Sequence, residues 1–248
     1  MEDESKPPHA GERVLGPDAV ARTFAEIADV YDAGSDLISF GLIRLWRRQL
    51  VRIVHPAPDD KILDICTGTG DIALALAERV TTGRVVGVDF SDAMLCRARR
   101  KTPRRLADRV DFRRGDATDL PLPDDAFDAA TNAFGLRNVA DIPAAWAEMR
   151  RVVRPGGRVY MLDLARPRIP VFRELYHLYF RHLLPWVARL VHSRRAPYRY
   201  LVESLGRFPT TSELEDIAEE AGLVGARGRP LFGGVVAIVE ASVPTYRE

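Results

Sequence analysis

The stretch Lys61-Ile62-Leu63-Asp64-Ile65-Cys66-Thr67-Gly68-Thr69-Gly70-Asp71 decides how the rest of the 248-residue chain is read. Ile62, Leu63 and Ile65 form a short apolar run that reads as a buried strand. Gly68 and Gly70 permit a tight turn with close backbone approach, and Asp71 opens an apolar-periodic helix. The next apolar run, Arg84 to Val88, delivers Asp89 about 20 residues downstream, the distance at which a βαβ unit sets an acid against ribose hydroxyls. Strand, turn, helix and acid together describe a cofactor cradle. Gly68-Thr69-Gly70-Asp71-Ile72-Ala73 fits G-x-G-x-x-A, so a dinucleotide is open on this evidence.

Asp64, still on the strand, argues the other way. D-x-x-x-G-x-G followed by an acid after the second strand resembles the S-adenosylmethionine (SAM) methyltransferases. There no pyrophosphate has to be cradled, and a carboxylate near the turn is tolerable beside a cationic ligand.

Working outward, residues 1–18 are polar and proline-bearing, lack the apolar core of a signal peptide, and read as a disordered tail. Residues 19–248 read as a single domain. Val20, Phe24, Ile27 and Tyr31 recur at helical spacing, which predicts a helix from Ala19 to Tyr31. Tyr31 to Gly41 reads as a polar-aromatic loop and Leu42 to Val54 as a helix ended by Pro56 and Pro58, which completes an N-terminal helical part over 19–55. Downstream the pattern predicts a helix from Asp71 to Val80 and one from Ser91 to Arg100 capped by Ser91. Strand Val110 to Arg113 leads into Gly115-Asp116-Ala117, and an acid just past a strand's carboxyl end lies where ligands bind in doubly wound folds. A strand from Ala129 to Ala133 precedes a helix capped by Asp141, with Ile142, Trp146, Met149 and Val153 on its apolar face. Arg154-Pro155-Gly156-Gly157 is expected to end it before a strand from Val159 to Leu164.

This alternation implies an α/β fold with an open, mostly parallel sheet covered on both faces. It is interrupted over about 169–207 by an aromatic, basic segment that reads as an inserted helical cap. Arg173, Glu174, His177, Arg181 and His182 break its apolar run, so it cannot span a bilayer. Thr210 and Glu213 make a capping box before a helix stopped by Gly222. Leu231 to Ala241, rich in valine and isoleucine, is expected to be the last strand, antiparallel at the far edge.

Composition narrows the function classes. The formal net charge of +1 gives no global field toward nucleic acid or anionic membrane, and 33 of the 36 basic residues are arginine, with lysine only at positions 6, 61 and 101. Cys66 and Cys96 are too few for a disulfide framework or a zinc site, so no metal is expected and a reducing cytoplasm suits the chain. Cys66 lies in the cofactor turn but reads as a small buried residue.

With these pieces in place the chain resembles the C-methyltransferases of ubiquinone and menaquinone biosynthesis from about Phe24 to Ala241. The resemblance is carried by Tyr31-Asp32, Asp36 to Gly41 and Leu45-Trp46-Arg47-Arg48; by Gly68-Thr69-Gly70-Asp71; by Gly115-Asp116-Ala117 with Leu120-Pro121; by Phe134-Gly135-Leu136-Arg137-Asn138-Val139; by Tyr198 to Leu201 with Glu203-Ser204; and by Phe208-Pro209. It implies a Rossmann-like methyltransferase fold with a seven-stranded sheet. It also implies that Thr69 and the Gly68 and Gly70 backbone line the methionyl end of SAM, that Asp64 belongs to the same site, and that Asp89 takes the ribose hydroxyls. Asp116 and Ala117 would hold the adenine and Ala133 would face the cofactor, although Asp89 and Asp116 could instead be helix caps.

The implied reaction moves a methyl group to a ring carbon of a prenylated quinol, in the cytoplasm, with room left for a peripheral membrane contact through the cap. Arg137 and Asn138 are the candidates for orienting the quinol oxygen, Tyr31 and Asp32 for closing over the methyl group. His177, His182 and His192 are further acid-base candidates. Tyr176, Tyr179, Phe180 and Trp186 are candidates for covering the isoprenoid tail. Departures from the family pattern cluster around the acceptor pocket: Ser35 before Asp36-Leu37, Asp163-Leu164-Ala165-Arg166-Pro167 after the fifth strand, and His192 to Pro197 before Tyr198. They leave open a methyltransferase acting on another aromatic acceptor, or a catalytically silent protein of the same fold.

Overall fold

A computed structural model describes residues 24, 28–165, 167, 171, 174, 178, 179 and 208–246. Two N-terminal helices, α1 (Tyr31–Ile38) and α2 (Leu42–Val54), precede β1 (Lys61–Ile65) and α3 (Asp71–Ala77). There follow β2 (Arg84–Asp89), α4 (Asp92–Lys101), β3 (Val110–Arg114), β4 (Phe127–Ala133), α5 (Ile142–Val152) and β5 (Val153–Leu164). Then come α6 (Thr211–Glu220), β6 (Val224–Leu231) and β7 (Val236–Ser242). The strands form one seven-stranded sheet in the order β3-β2-β1-β4-β5-β7-β6. β1 to β5 pair in parallel, and β7 runs antiparallel to both β5 and β6. The mostly parallel α/β fold is as the alternation of elements implies.

Side-chain alternation along β1 explains the layering. Leu63 and Ile65 project into a core shared with Trp146 and Met149 of α5 and with Leu214 of α6. Ile62 enters the opposite core, built with Leu50 of α2, Leu76 of α3 and Leu95 of α4. A period of two therefore puts Asp64 on the same face as Ile62, beneath α3. The strand order reverses between β1 and β4, so the carboxyl ends of β1, β2 and β4 open onto one crevice, where doubly wound folds bind ligands.

Local chemistry sets most boundaries. Ser91 Oγ accepts from Met94 N at the start of α4, and Asp141 Oδ1 accepts from Ala144 N at the start of α5. Thr210 and Glu213 form the reciprocal capping box that the sequence signals. Four expectations need correction. Tyr31 to Ile38 is a helix where a loop was expected, so Tyr31 opens a helix and the turn lies at 28–30. α3 ends at Ala77, before Val80. β5 starts at Val153, so Arg154 to Gly157 lie inside the strand, with Gly156 at φ 78° where register shifts against β4. The last strand is a hairpin in which β6 ends and β7 begins around a turn at Phe232–Gly234, with Gly233 at φ 69°; β7 is second from the edge and β6 is the edge. The sequence of β6, Val-Gly-Ala-Arg-Gly-Arg-Pro-Leu, carries no apolar alternation because none of its side chains is fully buried on either face of the sheet. The helix expected over Ala19 to Tyr31 lies outside the described residues except at Phe24, which is helical. The cap over 169–207 lies outside them except at four positions, Val171, Glu174, Leu178 and Tyr179.

Candidate active site

The glycine turn is built from backbone strain and buried polarity. The chain passes through left-handed conformation at Cys66 (φ 50°), Gly68 (φ 56°) and Gly70 (φ 80°), so it reverses sharply within five residues of leaving β1. The two glycines serve different needs. A Cβ on Gly70 would lie 2.7 Å from the Phe112 ring and 3.0 Å from Ala98 Cβ, so the residue must be small for the turn to pack on α4 and β3. A Cβ on Gly68 would meet nothing within 4 Å. Here the backbone faces open space, and a ligand can approach the main chain directly.

Asp64 sits under this turn, 1% exposed. Parallel register places Thr131 directly opposite it on β4. Thr131 Oγ1 donates to Asp64 Oδ1 at 2.7 Å and Thr67 Oγ1 donates to Oδ2 at 2.6 Å. These are neutral donors, and burial prevails over them, pushing the carboxyl from its ordinary 3.8 up to about 6. Asp89 closes the cradle from β2. Its Oδ2 accepts from Gly68 N at 2.8 Å and its Oδ1 from Ser91 N at 2.9 Å. Burial raises its pKa as well, against the N–H groups of Ser91, Gly68 and Phe90. Asp89 is thus no helix cap, since Ser91 has that place. Asp116 is not one either. Its Oδ1 accepts from both Thr118 N and Thr118 Oγ1 in a turn past β3, and its side chain is exposed at the crevice rim while Ala117 is buried in the core. Burial and the charges of Asp89, Asp64 and Asp116 hold the Cys66 thiol well above its ordinary pKa, which excludes a thiolate nucleophile.

α1 is tied onto this turn by charges that the sequence reading missed. Thr69 Oγ1 donates to Asp32 Oδ1 at 2.5 Å, and Lys101 Nζ, from the last turn of α4, donates to Asp32 Oδ2 at 2.9 Å, to Thr69 Oγ1 at 3.1 Å and to Asp71 Oδ1. Arg47 of α2 donates to the other oxygen of Asp71. Burial works to raise the Asp32 pKa, but the hydrogen bonds from Thr69 and Lys101, with the charges of Lys101 and Arg47, hold it below its ordinary value. Asp32 is therefore a bound anion that fastens α1 to the cofactor turn. Tyr31 beside it packs on Phe24 with ring centres 6.0 Å apart, and Phe24 packs edge-on against Phe90, next to Asp89. The sequence held a clue to this cluster. One of three lysines in an arginine-rich chain marks a site where a compact ammonium reaches three acceptors with its three rotatable donors, without the fixed plane that a guanidinium imposes.

Arg137 and Asn138 lie in a 3₁₀ turn, Leu136–Asn138, past the end of β4. Asn132 of β4 anchors it, donating from Nδ2 to Ile65 O at 3.1 Å and accepting Leu136 N at Oδ1. Ala133 ends β4 half-buried, and Phe134 follows at φ 59°. A Cβ on Gly135 would lie 2.3 Å from Cys66 Cβ, so the two loops touch and the turn is carried on the cofactor turn. Arg137 NH1 donates to Asp163 Oδ1 at 2.7 Å, in a pair whose side chains are 10% and 1% exposed. Burial raises the Asp163 pKa despite Arg137 and the Leu164 N–H. Both partners are visible in the sequence, but their pairing depends on β5 lying beside β4. Among the described residues, Asp163 Oδ2 and Asn138 Oδ1 are buried and have no hydrogen-bond partner. No group of His, Cys, Asp and Glu side chains capable of holding a metal ion occurs among the described residues. His177, His182, His192, Tyr176, Phe180 and Trp186 lie outside them.

Comparison with known proteins places this geometry. The model of the ubiE/COQ5 methyltransferase family matches residues 12–242. The 2-phytyl-1,4-naphtoquinone methyltransferase of Synechococcus elongatus is 43% identical over 234 residues, covering 92% of this chain and 99% of that protein. The demethylmenaquinone methyltransferase of Desulfitobacterium hafniense is 41% identical over 229 residues, covering 91% and 90%. Among solved structures, a SAM-dependent methyltransferase of Thermotoga maritima superposes with a TM-score of 0.63 at 20% identity, covering 90% of this chain and 99% of that one.

Proposed function

From the premise that the chain belongs to the ubiE/COQ5 methyltransferase family, and is therefore a SAM-dependent methyltransferase, we propose that it methylates a ring carbon of a prenylated quinol in respiratory quinone biosynthesis. Both relatives above are named for naphthoquinone-type acceptors, and this supports demethylmenaquinol over a ubiquinol precursor. The observation that carries the reading is the junction of the two loops. Cys66 and Gly135 are in contact, which brings the Gly68 turn and the Arg137-Asn138 turn side by side.

The residues fit SAM. Gly68 leaves the space a ligand needs beside the main chain, and Asp89, already gripped by Gly68 N and Ser91 N, is an oriented buried acceptor for ribose hydroxyls. Thr69 and the Gly68 and Gly70 backbone would line the methionyl end, with Ala133 facing it. Asp116 and Ala117 at the end of β3 would hold the adenine, and Asp64 would set a negative potential beneath the turn. When bound, SAM supplies an electrophilic methyl group on a sulfonium centre.

The chain's own residues then have limited tasks. Arg137, aligned by Asp163, stabilises negative charge on the quinol oxygen, which raises electron density at the neighbouring ring carbon. Asn138 Oδ1, buried and unpartnered among the described residues, accepts a hydrogen bond from the quinol hydroxyl or an ordered water and orients it. Tyr31 and the Asp32 fastening hold α1 over the crevice and exclude water. Most of the rate comes from holding the reactants at near-attack distance. Residues 19–248 act as one domain in this account, in the cytoplasm, at the membrane where the acceptor resides. Incubating the protein with labelled SAM and a panel of reduced acceptors tests it: transfer to demethylmenaquinol and none to tailless phenols is expected. Transfer only to a non-prenylated aromatic would overturn the acceptor.

A further inference from the structure

Exposed residues between 33 and 55 have an unusual composition. Four are large and apolar, Leu37 at 44% exposed, Phe40 at 63%, Leu42 at 38% and Leu45 at 40%, and every other exposed position in that span is arginine, histidine, glycine or alanine. No exposed position carries an acid or a neutral polar side chain, in a chain with 35 acidic residues. The only acid in the span, Asp36, is half-buried and consumed by Arg44, whose Nε lies 3.0 and 2.9 Å from its two oxygens.

Helical geometry explains why these residues share a surface. On α2, Ile43, Trp46, Leu50 and Val54 turn inward, which leaves Leu45, Arg48 and Arg52 along the outer stripe. Leu37 ends α1 on the same corner, where Phe40 at φ 51° and Gly41 at φ 76° reverse the chain and push the Phe40 ring outward. Tyr179 packs on that ring at 5.9 Å and donates its hydroxyl hydrogen to Ile38 O, so Leu178, 58% exposed, extends the apolar area.

Within 33–55, exposed apolar groups at this density, interleaved with arginines and with no exposed acid, match an interfacial anchor. We infer that the α1–α2 corner docks on an anionic lipid surface, with Leu37, Phe40, Leu42 and Leu45 entering the headgroup boundary and Arg48 and Arg52 pairing with lipid phosphates. Charge complementarity selects this occupant: a protein partner would need to bring both acids and an apolar surface, whereas an anionic bilayer presents both in one plane. None of the described helices is long and apolar enough to cross a membrane, so the contact is peripheral. The overall charge of +1 hides the feature because acids elsewhere in the chain offset the exposed arginines of this corner. The inference rests on the prenylated-quinol reading for its purpose: α1 spans about 12 Å at the rise of an α-helix, so its far end, fastened by Asp32 to Thr69, sets the crevice that close to the lipid.

Co-sedimentation of the full chain with vesicles of phosphatidylcholine, with and without phosphatidylglycerol, tests it without any quinol present. Binding is expected only to the anionic vesicles and is expected to weaken as salt rises. Phe40→Ser with Leu45→Ser is expected to weaken it by roughly tenfold or more, and Arg48→Gln by about fivefold. Melting temperature and turnover of a short-tailed quinol in detergent-free solution should match the unaltered protein in each variant. The inference is overturned if neither vesicle binds, if the variants bind as well as the original, or if sedimentation shows the surface consumed in a dimer of this chain. Vesicle binding with no turnover on any quinol would instead count against the acceptor reading alone.

Discussion

Asp64 is the residue whose replacement separates stability from function most sharply. Its carboxyl, 1% exposed and bonded only to the neutral donors Thr67 Oγ1, Thr131 Oγ1 and the Ala73 N–H, titrates at about 6 in the fold against an ordinary 3.8. A folded pKa above the unfolded one contributes stability that is complete below about pH 3.8 and lost as pH rises through about 6. The rise of roughly two pH units makes the charged carboxylate cost the apoprotein about 3 kcal/mol at pH 8, to order of magnitude. Asp64→Asn removes this cost. It gives up part of one hydrogen bond, about 1 kcal/mol, because Thr131 must accept from the new amide and turn its own hydrogen to Leu63 O, 3.3 Å away. The net gain is about 2 kcal/mol at pH 8, or roughly 4–8 °C in melting temperature for a chain of this size. At pH 4 the cost has fallen to about 0.6 kcal/mol, below the value of the lost hydrogen bond, and the variant should melt slightly below the original. Thermal unfolding of both proteins without SAM between pH 4 and pH 8 should show the two curves crossing at about pH 4.5, where the cost equals the lost hydrogen bond. A variant less stable at pH 8, or a difference independent of pH, would refute the reasoning. SAM affinity should fall in the same variant, since the negative potential under the turn is lost.

Three further outcomes follow from the same geometry. Asp89→Ala should abolish SAM binding in titration calorimetry, and unchanged affinity would remove Asp89 from the ribose site. Lys101→Met should raise the Kd for SAM by roughly tenfold by freeing Asp32 and Thr69, as expected for loss of charged hydrogen bonds, and Lys101→Arg should not restore it; full rescue by arginine would mean that charge alone matters. Arg137→Met should cost about 3–5 kcal/mol by stranding the Asp163 carboxylate, and adding Asp163→Leu should recover most of that loss in a denaturant titration; stability unchanged by Arg137→Met would show that the pair is not coupled.

The parts of this structure that were legible in the sequence are those fixed by local chemistry. β1, α2, the Ser91 and Asp141 caps and the Thr210–Glu213 capping box depend on residues within a few positions of one another, and they stand where the patterns place them. α1 has the pattern of a loop because Gly34, Ser35 and Asp36 are poor helix formers, and its closure onto Thr69 and Lys101 is tertiary. β6 was invisible because an edge strand need not alternate, and Arg154 to Gly157 continue a strand because Gly156 absorbs a bulge against β4. The candidate site divides in the same way. Asp64, Gly68, Thr69, Gly70 and Asp89 converge as their spacing along one βαβ unit requires. Lys101 is 69 residues from Asp32 and Asp163 is 26 from Arg137, so those partners become apparent only when the sheet order sets their elements side by side.

The central claim is carbon methylation of a quinol ring, and the isotope content of the product tests it most directly. With a reduced demethylmenaquinone carrying deuterium at the open ring position, the account predicts a product that has gained the SAM methyl group and lost the ring deuterium. A methylated product that keeps its ring deuterium would place the methyl on oxygen and contradict the account.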